Sequence, residues 1–164
     1  MNTRPLSLSG LRAAGLAALL LSVAACGSPP RAGGAPAGSE DPLVQTQWRL
    51  SSWTMPGGAA RLLPKDTQSR PLTVAFTRDG GVSRASGFAG CNQFSANYVF
   101  AQGLLIVKAP VSTRMACATP ELSRLEGDYL QALTRVSGST FDPTGQRNLS
   151  LTTTSGDLLR FERM

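Results

Sequence analysis

Apolar and polar residues alternate with a period of two along most of the chain after residue 43. Leu72, Val74 and Phe76 fall on one face of a predicted strand. An Asp-Gly pair at 79–80 then gives the sequence signal of a hairpin, before a second strand at about residues 82–88. Alternation of this kind is typical of an antiparallel sheet that buries one of its faces.

The same alternation predicts strands nearer both ends of this region. Trp48 and Leu50 share one face of a strand, and Trp53 reaches that face only through a bulge or at the strand's end. Two further strands turn at Gly103. Near the C-terminus a hairpin turns at residues 155–157, and its apolar positions are Leu149, Leu151, Leu159 and Phe161.

One segment changes to a helical period. Thr119 is suited to the N-cap, Pro120 to the first helical position and Glu121 to the positive helix end. Gly127 weakens this helix by about 1 kcal/mol relative to alanine. Apolar residues recur every three or four positions and predict an amphipathic helix that covers the sheet or closes a barrel mouth: Leu122, Leu125, Tyr129, Leu133 and Val136.

The chain therefore has a mainly β pattern with one helix. Seven or eight short strands and one amphipathic helix in about 120 residues predict a small antiparallel barrel or a strongly curled sheet.

The first 25 residues have the pattern of a lipoprotein signal peptide. Arg4 and Arg12 precede an apolar run that is shorter than the about 20 residues needed to span a bilayer. The run ends in Val23-Ala24-Ala25-Cys26, which resembles the bacterial lipobox. Cleavage there would leave Cys26 first, and its sulfur would carry a diacylglycerol with acyl chains such as palmitate. The alternative is ordinary secretion with a cysteine near the cleavage site.

A lipid on Cys26 would anchor the mature chain to a membrane of the cell envelope. Gly27 and Ser28 follow, rather than the aspartate that often retains lipoproteins at the inner membrane. In a Gram-negative host we therefore expect the outer membrane, facing the periplasm.

The segment after the signal is a predicted flexible tether, residues 26–42, rich in Gly, Pro, Ala and Ser. The folded domain is predicted at residues 43–164. Removal of the signal takes two of the 16 basic residues, so 14 basic and 10 acidic residues leave a mature net charge of +4. The basic residues form no run, and with export this argues against a nucleic-acid partner.

The three cysteines are predicted to have two different roles. If Cys26 carries lipid, Cys91 and Cys117 remain as a pair in an oxidising compartment, where a disulfide is the default. It would close a loop of about 25 residues and stabilise the fold by roughly 3 kcal/mol. Two isolated cysteines in a chain without histidine fall short of a zinc site, and Cys91 lacks the usual base of a nucleophile.

Two motifs carry a resemblance to a known family. Gly87-Phe88-Ala89-Gly90-Cys91-Asn92 precedes Tyr98, and Thr113-Arg114-Met115-Ala116-Cys117 follows. With Trp48-Arg49-Leu50, the strand at 72–76 and the terminal hairpin, residues 43–164 resemble the META domain family, which includes the HslJ-like heat-shock lipoproteins. One departure is Ala96, where the family often has glycine.

The resemblance implies a lipocalin-like barrel with a helix, usually exported, often membrane-anchored and without enzymatic activity. It also implies a link to stress or drug tolerance of the envelope. The expected function is that of a non-catalytic envelope lipoprotein without a cofactor, which binds an envelope protein, a peptidoglycan fragment or a small apolar ligand. The alternatives are a periplasmic enzyme inhibitor and a hydrolase that uses the helix carboxylates Glu121, Glu126 and Asp128.

For the glycines and the asparagine of the first motif, the sequence predicts roles in backbone geometry. Gly87 and Gly90 are expected at a bulge or a positive-φ bend, which the Asn92 side chain would hydrogen-bond. Asn92 and Arg114 are weak binding candidates, and a solvated Arg114 is the alternative. Met115 is expected to fill the core, and Trp48 and Trp53 to lie in the core and at its rim.

Overall fold

The computed structural model describes residues 41–142 and 147–164, and in this part of the chain it contains nine strands and two helices. The elements are β1 (Thr46–Thr54), α1 (Asp66–Ser69), β2 (Thr73–Asp79), β3 (Val82–Phe88), β4 (Gln93–Ala101), β5 (Leu104–Val107), β6 (Val111–Ser112), α2 (Pro120–Thr134), β7 (Val136–Phe141), β8 (Asn148–Thr153) and β9 (Leu158–Arg163).

The predicted signal peptide, Cys26 and most of the predicted tether lie outside the described residues, so lipidation stays a prediction. The last two tether residues, Asp41 and Pro42, are described. The Asp41 carboxylate accepts hydrogen bonds from the Tyr98 hydroxyl at 2.7 Å and from the Leu43 amide at 3.0 Å. Leu43 itself is fully buried.

The strands form one antiparallel sheet that curls into a nearly closed barrel. Its order is β5-β4-β3-β2-β1-β9-β8-β7, and the short strand β6 also pairs with β4. The two end strands, β5 and β7, contact each other, and the Ser139 hydroxyl donates to the Gly103 carbonyl at 2.5 Å. The predicted mainly β barrel with an amphipathic helix is therefore confirmed.

The period-two pattern places the apolar side chains inside the barrel. Trp48, Val74 and Phe76 are fully buried. A register shift between Leu50 and Ser52 supplies the bulge that turns Trp53 inward, where it is 3% exposed. In β8 and β9, the last two strands of the chain, the fully buried side chains are Leu149, Leu151 and Phe161, and Leu159 is 1% exposed.

The β2–β3 hairpin follows from its turn residues. Gly80 and Gly81 have φ angles of 53° and 81°, as a two-residue type I′ turn requires. Val82 then pairs with Asp79 across the turn. The hairpin is confirmed where the sequence predicts it.

Helix α2 begins as predicted and ends before Val136. The Thr119 side chain accepts a hydrogen bond from the Leu122 amide at 3.3 Å, and Pro120 opens the helix. Val136, predicted as the last apolar position of the helix, instead begins β7. The prediction that the helix continues to Val136 is wrong. One apolar residue can be either the last position of a helical stripe or the first inward position of a strand, and the sequence pattern does not distinguish the two.

The apolar face of α2 closes one end of the barrel. Its Tyr129 is fully buried, and its ring contacts Trp53 of β1, Phe94 of β4 and Phe161 of β9 at 6.0–6.5 Å between centroids. The Tyr129 hydroxyl donates to the Thr73 carbonyl of β2 at 3.2 Å. Contacts with four strands at once show that the helix packs into the barrel mouth.

The barrel interior is filled with side chains. Phe76 packs against Tyr98 edge to face at 5.0 Å, and Trp48 and Phe100 both pack against Phe141. Among the described residues, interdigitated rings of this kind are typical of a close-packed protein interior. Among the described helices, neither has the length and hydropathy needed to cross a membrane.

Candidate functional site

The two cysteine motifs meet at the mouth that α2 closes. Cys91 follows β3, and Cys117 lies just before α2. The structure joins them in the predicted disulfide, with 5.5 Å between the two Cα atoms. Gly90 has a φ of 104°, so the predicted positive-φ bend lies at this glycine.

Gly87 has a different reason to be glycine. A Cβ at this position would lie 2.1 Å from the Thr73 carbonyl oxygen and 2.8 Å from its carbonyl carbon. Strand β3 therefore approaches the backbone of β2 too closely for a side chain. The prediction of a backbone role is correct, but the cause is close approach rather than a positive φ.

Asn92 binds the two motifs together. Its side-chain oxygen accepts from the Thr113 hydroxyl at 2.8 Å and from the Met115 amide at 2.9 Å. Its side-chain nitrogen donates to the Met115 carbonyl at 3.2 Å and to Glu126 Oε2 at 2.9 Å. With 5% exposure and these partners, Asn92 has a structural role in holding the segment before α2 against the bend after β3.

We expect Asn92→Ala to lower the free energy of unfolding by roughly 1–3 kcal/mol, because the buried Asn92 side chain would no longer make its hydrogen bonds to Thr113 and to the Met115 backbone. Urea denaturation of the oxidised protein measures this difference. Asn97→Ala, on the exposed side of β4, is the matched control and should change the stability by less than about 0.5 kcal/mol. Equal stability of Asn92→Ala and the wild type would contradict the structural role.

Met115 and Arg114 are both on the surface. Met115 is 72% exposed, so its prediction as a core residue is wrong. Its backbone, rather than its side chain, is held by Asn92. Arg114 is exposed and lines a groove of about 480 Å³ beside α2.

The sequence identifies Glu126 only as a helix carboxylate and does not predict its position beside Asn92 and Cys117. Its Oε2 atom accepts from the Asn92 amide at 3.2 Å as well as from the Asn92 side chain, and lies 3.9 Å from Cys117 Sγ. It is separated from Asn92 by 34 residues, so only the fold brings them together. The available signal was its place four residues after Leu122, on the buried side of the helix.

The three helix carboxylates do not converge on one site. Glu126 binds Asn92, whereas Asp128 forms a salt bridge with Arg61 on another side of the helix. Glu121 lines a separate groove. Acid–base hydrolysis needs groups aimed at one substrate atom, and this arrangement gives the hydrolase alternative no support.

The shifted titratable groups of the described residues have structural causes. Burial raises the pKa of Tyr129. Burial also raises the pKa of Tyr98, and the hydrogen bond from Tyr98 to Asp41 raises it further. A hydrogen bond from Ser155 and a second from Trp53 Nε1 lower the pKa of Asp157. Asp157 thus stays ionised and holds the Trp53 ring at the rim, as expected for that tryptophan.

A groove lies between the loop before α1 and the first half of α2. Its volume is about 490 Å³, and its lining includes Leu62, Leu63, Pro64, Arg124 and Leu125. A second groove of about 600 Å³ adjoins it and shares Arg61, Leu62 and Leu63. Both grooves are open to solvent on the outer surface of the domain.

Leu62 projects from this loop into solvent, and the residues on both sides of it are fixed by contacts with the rest of the domain. The Arg61 guanidinium lies over the Trp53 ring at 4.5 Å and forms the salt bridge with Asp128, while its amide donates to the Trp53 carbonyl at 2.8 Å. Leu63 packs against the hydrophobic core. Leu62, held between them, is 92% exposed.

Comparisons with known proteins find one family and two solved structures that are similar to this chain. The META domain model matches residues 41–164. An NMR structure of a protein from Burkholderia xenovorans is 34% identical, with a TM-score of 0.64, and the match covers 84% of this chain and 97% of that one. A second NMR structure is 25% identical, with a TM-score of 0.49, over 73% of this chain and 90% of that one.

A search of curated proteins found no match. The family model nevertheless covers most of the sequence, including both cysteine motifs and the whole barrel. This chain therefore belongs to the META domain family.

Proposed function

We propose that this protein is a non-catalytic envelope lipoprotein whose META domain, anchored through lipid on Cys26, binds an apolar segment of an envelope protein in the groove at Leu62. The observation that carries the proposal is the 92% exposure of Leu62 in a loop whose neighbouring residues are fixed. Burial of this side chain against an apolar surface of a partner would be favourable.

The filled barrel supports an outer-surface site over a ligand inside the barrel. Trp48, Phe76 and Phe161 occupy the interior without exposure to solvent. The groove, by contrast, combines an apolar floor with the charged side chains of Lys65 and Arg124. An apolar centre with a polar rim is the usual composition of a protein–protein interface.

A partner at the membrane surface would fit the role in envelope stress tolerance that the family resemblance implies. The tether predicted at residues 26–42 would let the domain reach such a partner while the lipid stays in the membrane. Anchoring also raises the effective concentration of the domain near membrane proteins, so a groove of modest affinity would suffice.

We expect Cys26→Ala to move the protein to the soluble fraction or to leave the uncleaved precursor, because the sulfur that accepts the lipid is lost. Fractionation of cell envelopes and a mass measurement of the mature chain test this. Ser28→Ala, two residues after Cys26, is the control and should fractionate like the wild type. Normal maturation and membrane retention of Cys26→Ala would exclude the lipid anchor.

We expect Leu62→Asp to abolish recovery of the partner in a pull-down from chemically crosslinked envelopes. A carboxylate at the centre of an apolar contact would have to be desolvated on binding. Val82→Asp is the matched control, because Val82 is 48% exposed on the β2–β3 hairpin, away from the groove. Recovery of the same proteins with Leu62→Asp would exclude the groove as the binding surface.

A further inference from the structure

We infer that Cys91, Cys117 and Glu126 form a binding site for a divalent transition metal when the disulfide is reduced. The two sulfur atoms and a carboxylate oxygen of Glu126 all lie within 4.8 Å of one another. The sequence offers two cysteines without a third ligand, and the fold supplies that ligand from α2. The site is independent of the groove at Leu62.

The donor atoms are close to the positions that a tetrahedral ion requires. With metal–sulfur and metal–oxygen bonds of about 2.3 and 2.0 Å, a bound sulfur and oxygen lie about 3.5 Å apart. Cys117 Sγ and Glu126 Oε2 are already 3.9 Å apart. The two Cα atoms are 5.5 Å apart, so rotation about the Cα–Cβ bonds can direct both free sulfurs to one ion.

The carboxylate is already oriented for this role. The backbone and side-chain nitrogens of Asn92 both donate to Glu126 Oε2, at 3.2 and 2.9 Å. Hydrogen bonds of this kind orient metal ligands and strengthen their binding. Asn92 thus serves the reduced site as an outer-shell partner while it holds the fold together.

The site is open to solvent, which gives the ion access and can supply its fourth ligand. Cys91 and Cys117 are both partly exposed, and the groove of about 480 Å³ beside α2 is lined by Met115, Cys117 and Glu126. Water from this groove can complete a tetrahedral set of two sulfurs, one oxygen and one water. Thiolate ligands favour zinc among the common divalent ions, and cobalt and cadmium are spectroscopic substitutes.

The chemistry links metal binding to the redox state. A dithiol supplies two electrons and two protons and becomes a disulfide, whereas a phosphine supplies two electrons and becomes a phosphine oxide with the oxygen of water, whose two protons go to the sulfurs. In both cases the Cys91–Cys117 S–S bond breaks and two thiols form. Binding of the ion then releases both protons as the thiolates form. Oxidation by a disulfide exchanges the thiolates for the S–S bond, returns two electrons to the oxidant and releases the ion.

The test uses the full-length chain in detergent with Cys26→Ala, so that Cys91 and Cys117 are its remaining thiols. After reduction with a phosphine and removal of the reductant without oxygen, Co²⁺ is titrated into the protein. We expect one equivalent to bind, with sulfur-to-cobalt charge-transfer absorption in the near ultraviolet, and the oxidised protein to give none. Glu126→Gln should weaken binding at least tenfold.

Glu121→Gln is the matched control, because it makes the same change of charge on the same helix away from the sulfurs, and it should bind Co²⁺ like the parent chain. Re-formation of the disulfide in Glu126→Gln, followed by thiol titration, verifies that the two sulfurs are still adjacent. Lack of charge-transfer absorption in the reduced parent chain, or equal affinity of the Glu126→Gln and parent chains, would overturn the inference.

Discussion

Replacing Cys91 and Cys117 together by serine is expected to lower the free energy of unfolding by roughly 2–5 kcal/mol. The disulfide joins residues 26 apart, and its loss returns that loop's conformational freedom to the unfolded chain. It also releases the segment before α2, whose Tyr129 fills the barrel mouth. A domain of this size buries a limited share of its surface, so a loss of this size is a large part of its stability.

Urea denaturation of the oxidised proteins at one temperature measures this change. Ala118→Ser is the control, because it introduces a hydroxyl beside Cys117 at an exposed position and leaves the disulfide intact. It should change the stability by less than about 0.5 kcal/mol. A double serine variant within about 1 kcal/mol of the wild type would show that the disulfide contributes little to the fold.

Gly87→Ala is expected to destabilise the barrel by roughly 3 kcal/mol or more, or to prevent folding. The new Cβ would lie 2.1 Å from the Thr73 carbonyl oxygen, and because this neighbour is backbone, no rotamer change can relieve the overlap. Either β2 or β3 must shift, and the Thr73 carbonyl would then lose its hydrogen bond from Tyr129. Thermal and urea denaturation both measure the effect.

Gly127→Ala is the matched control, with the same chemical change in an open position on α2. It should raise the stability by up to about 1 kcal/mol, because alanine favours the helix and restricts the unfolded chain. Opposite signs for the two substitutions are the result that the structure predicts. Stability of Gly87→Ala equal to that of the wild type would mean that β2 and β3 lie farther apart than described.

Strong local patterns made much of this fold predictable. The Asp-Gly pair and the alternation around it identify the β2–β3 hairpin, since turn chemistry and burial there agree. Helix α2 was predictable because a Thr119 cap and a regular apolar stripe occur together. The bulge before Trp53 was predictable because two tryptophans out of register with each other both need burial.

Other elements depend on neighbours that are distant in sequence. Strand β7 has the sequence VSGSTF, where small and polar residues hide the alternation, and it is held by pairing with β8 and contact with β5. Met115 is a large apolar residue next to Ala116 and Cys117, yet Asn92 holds its backbone while its side chain lies in solvent. Local composition has no information about either arrangement.

The candidate site shows the same division. Parity and compartment predicted the Cys91–Cys117 pair, because those arguments need no coordinates. The place of Glu126 beside Cys117, and the exposure of Leu62 between two fixed residues, come from packing between α2 and distant loops. Side chains of these types occur throughout any sequence, so only their neighbours distinguish them.

Photo-crosslinking in intact cells is the most direct test of whether the anchored META domain binds a partner at Leu62, as we propose. A photoreactive phenylalanine replaces Leu62 in one strain and Val82 in another, both with Cys26 retained, and each is also combined with Cys26→Ala. We predict a discrete crosslinked envelope protein from position 62 that is absent from position 82 and reduced when Cys26 is lost. Adducts from position 62 that match those from position 82, or that do not depend on Cys26, would contradict the claim.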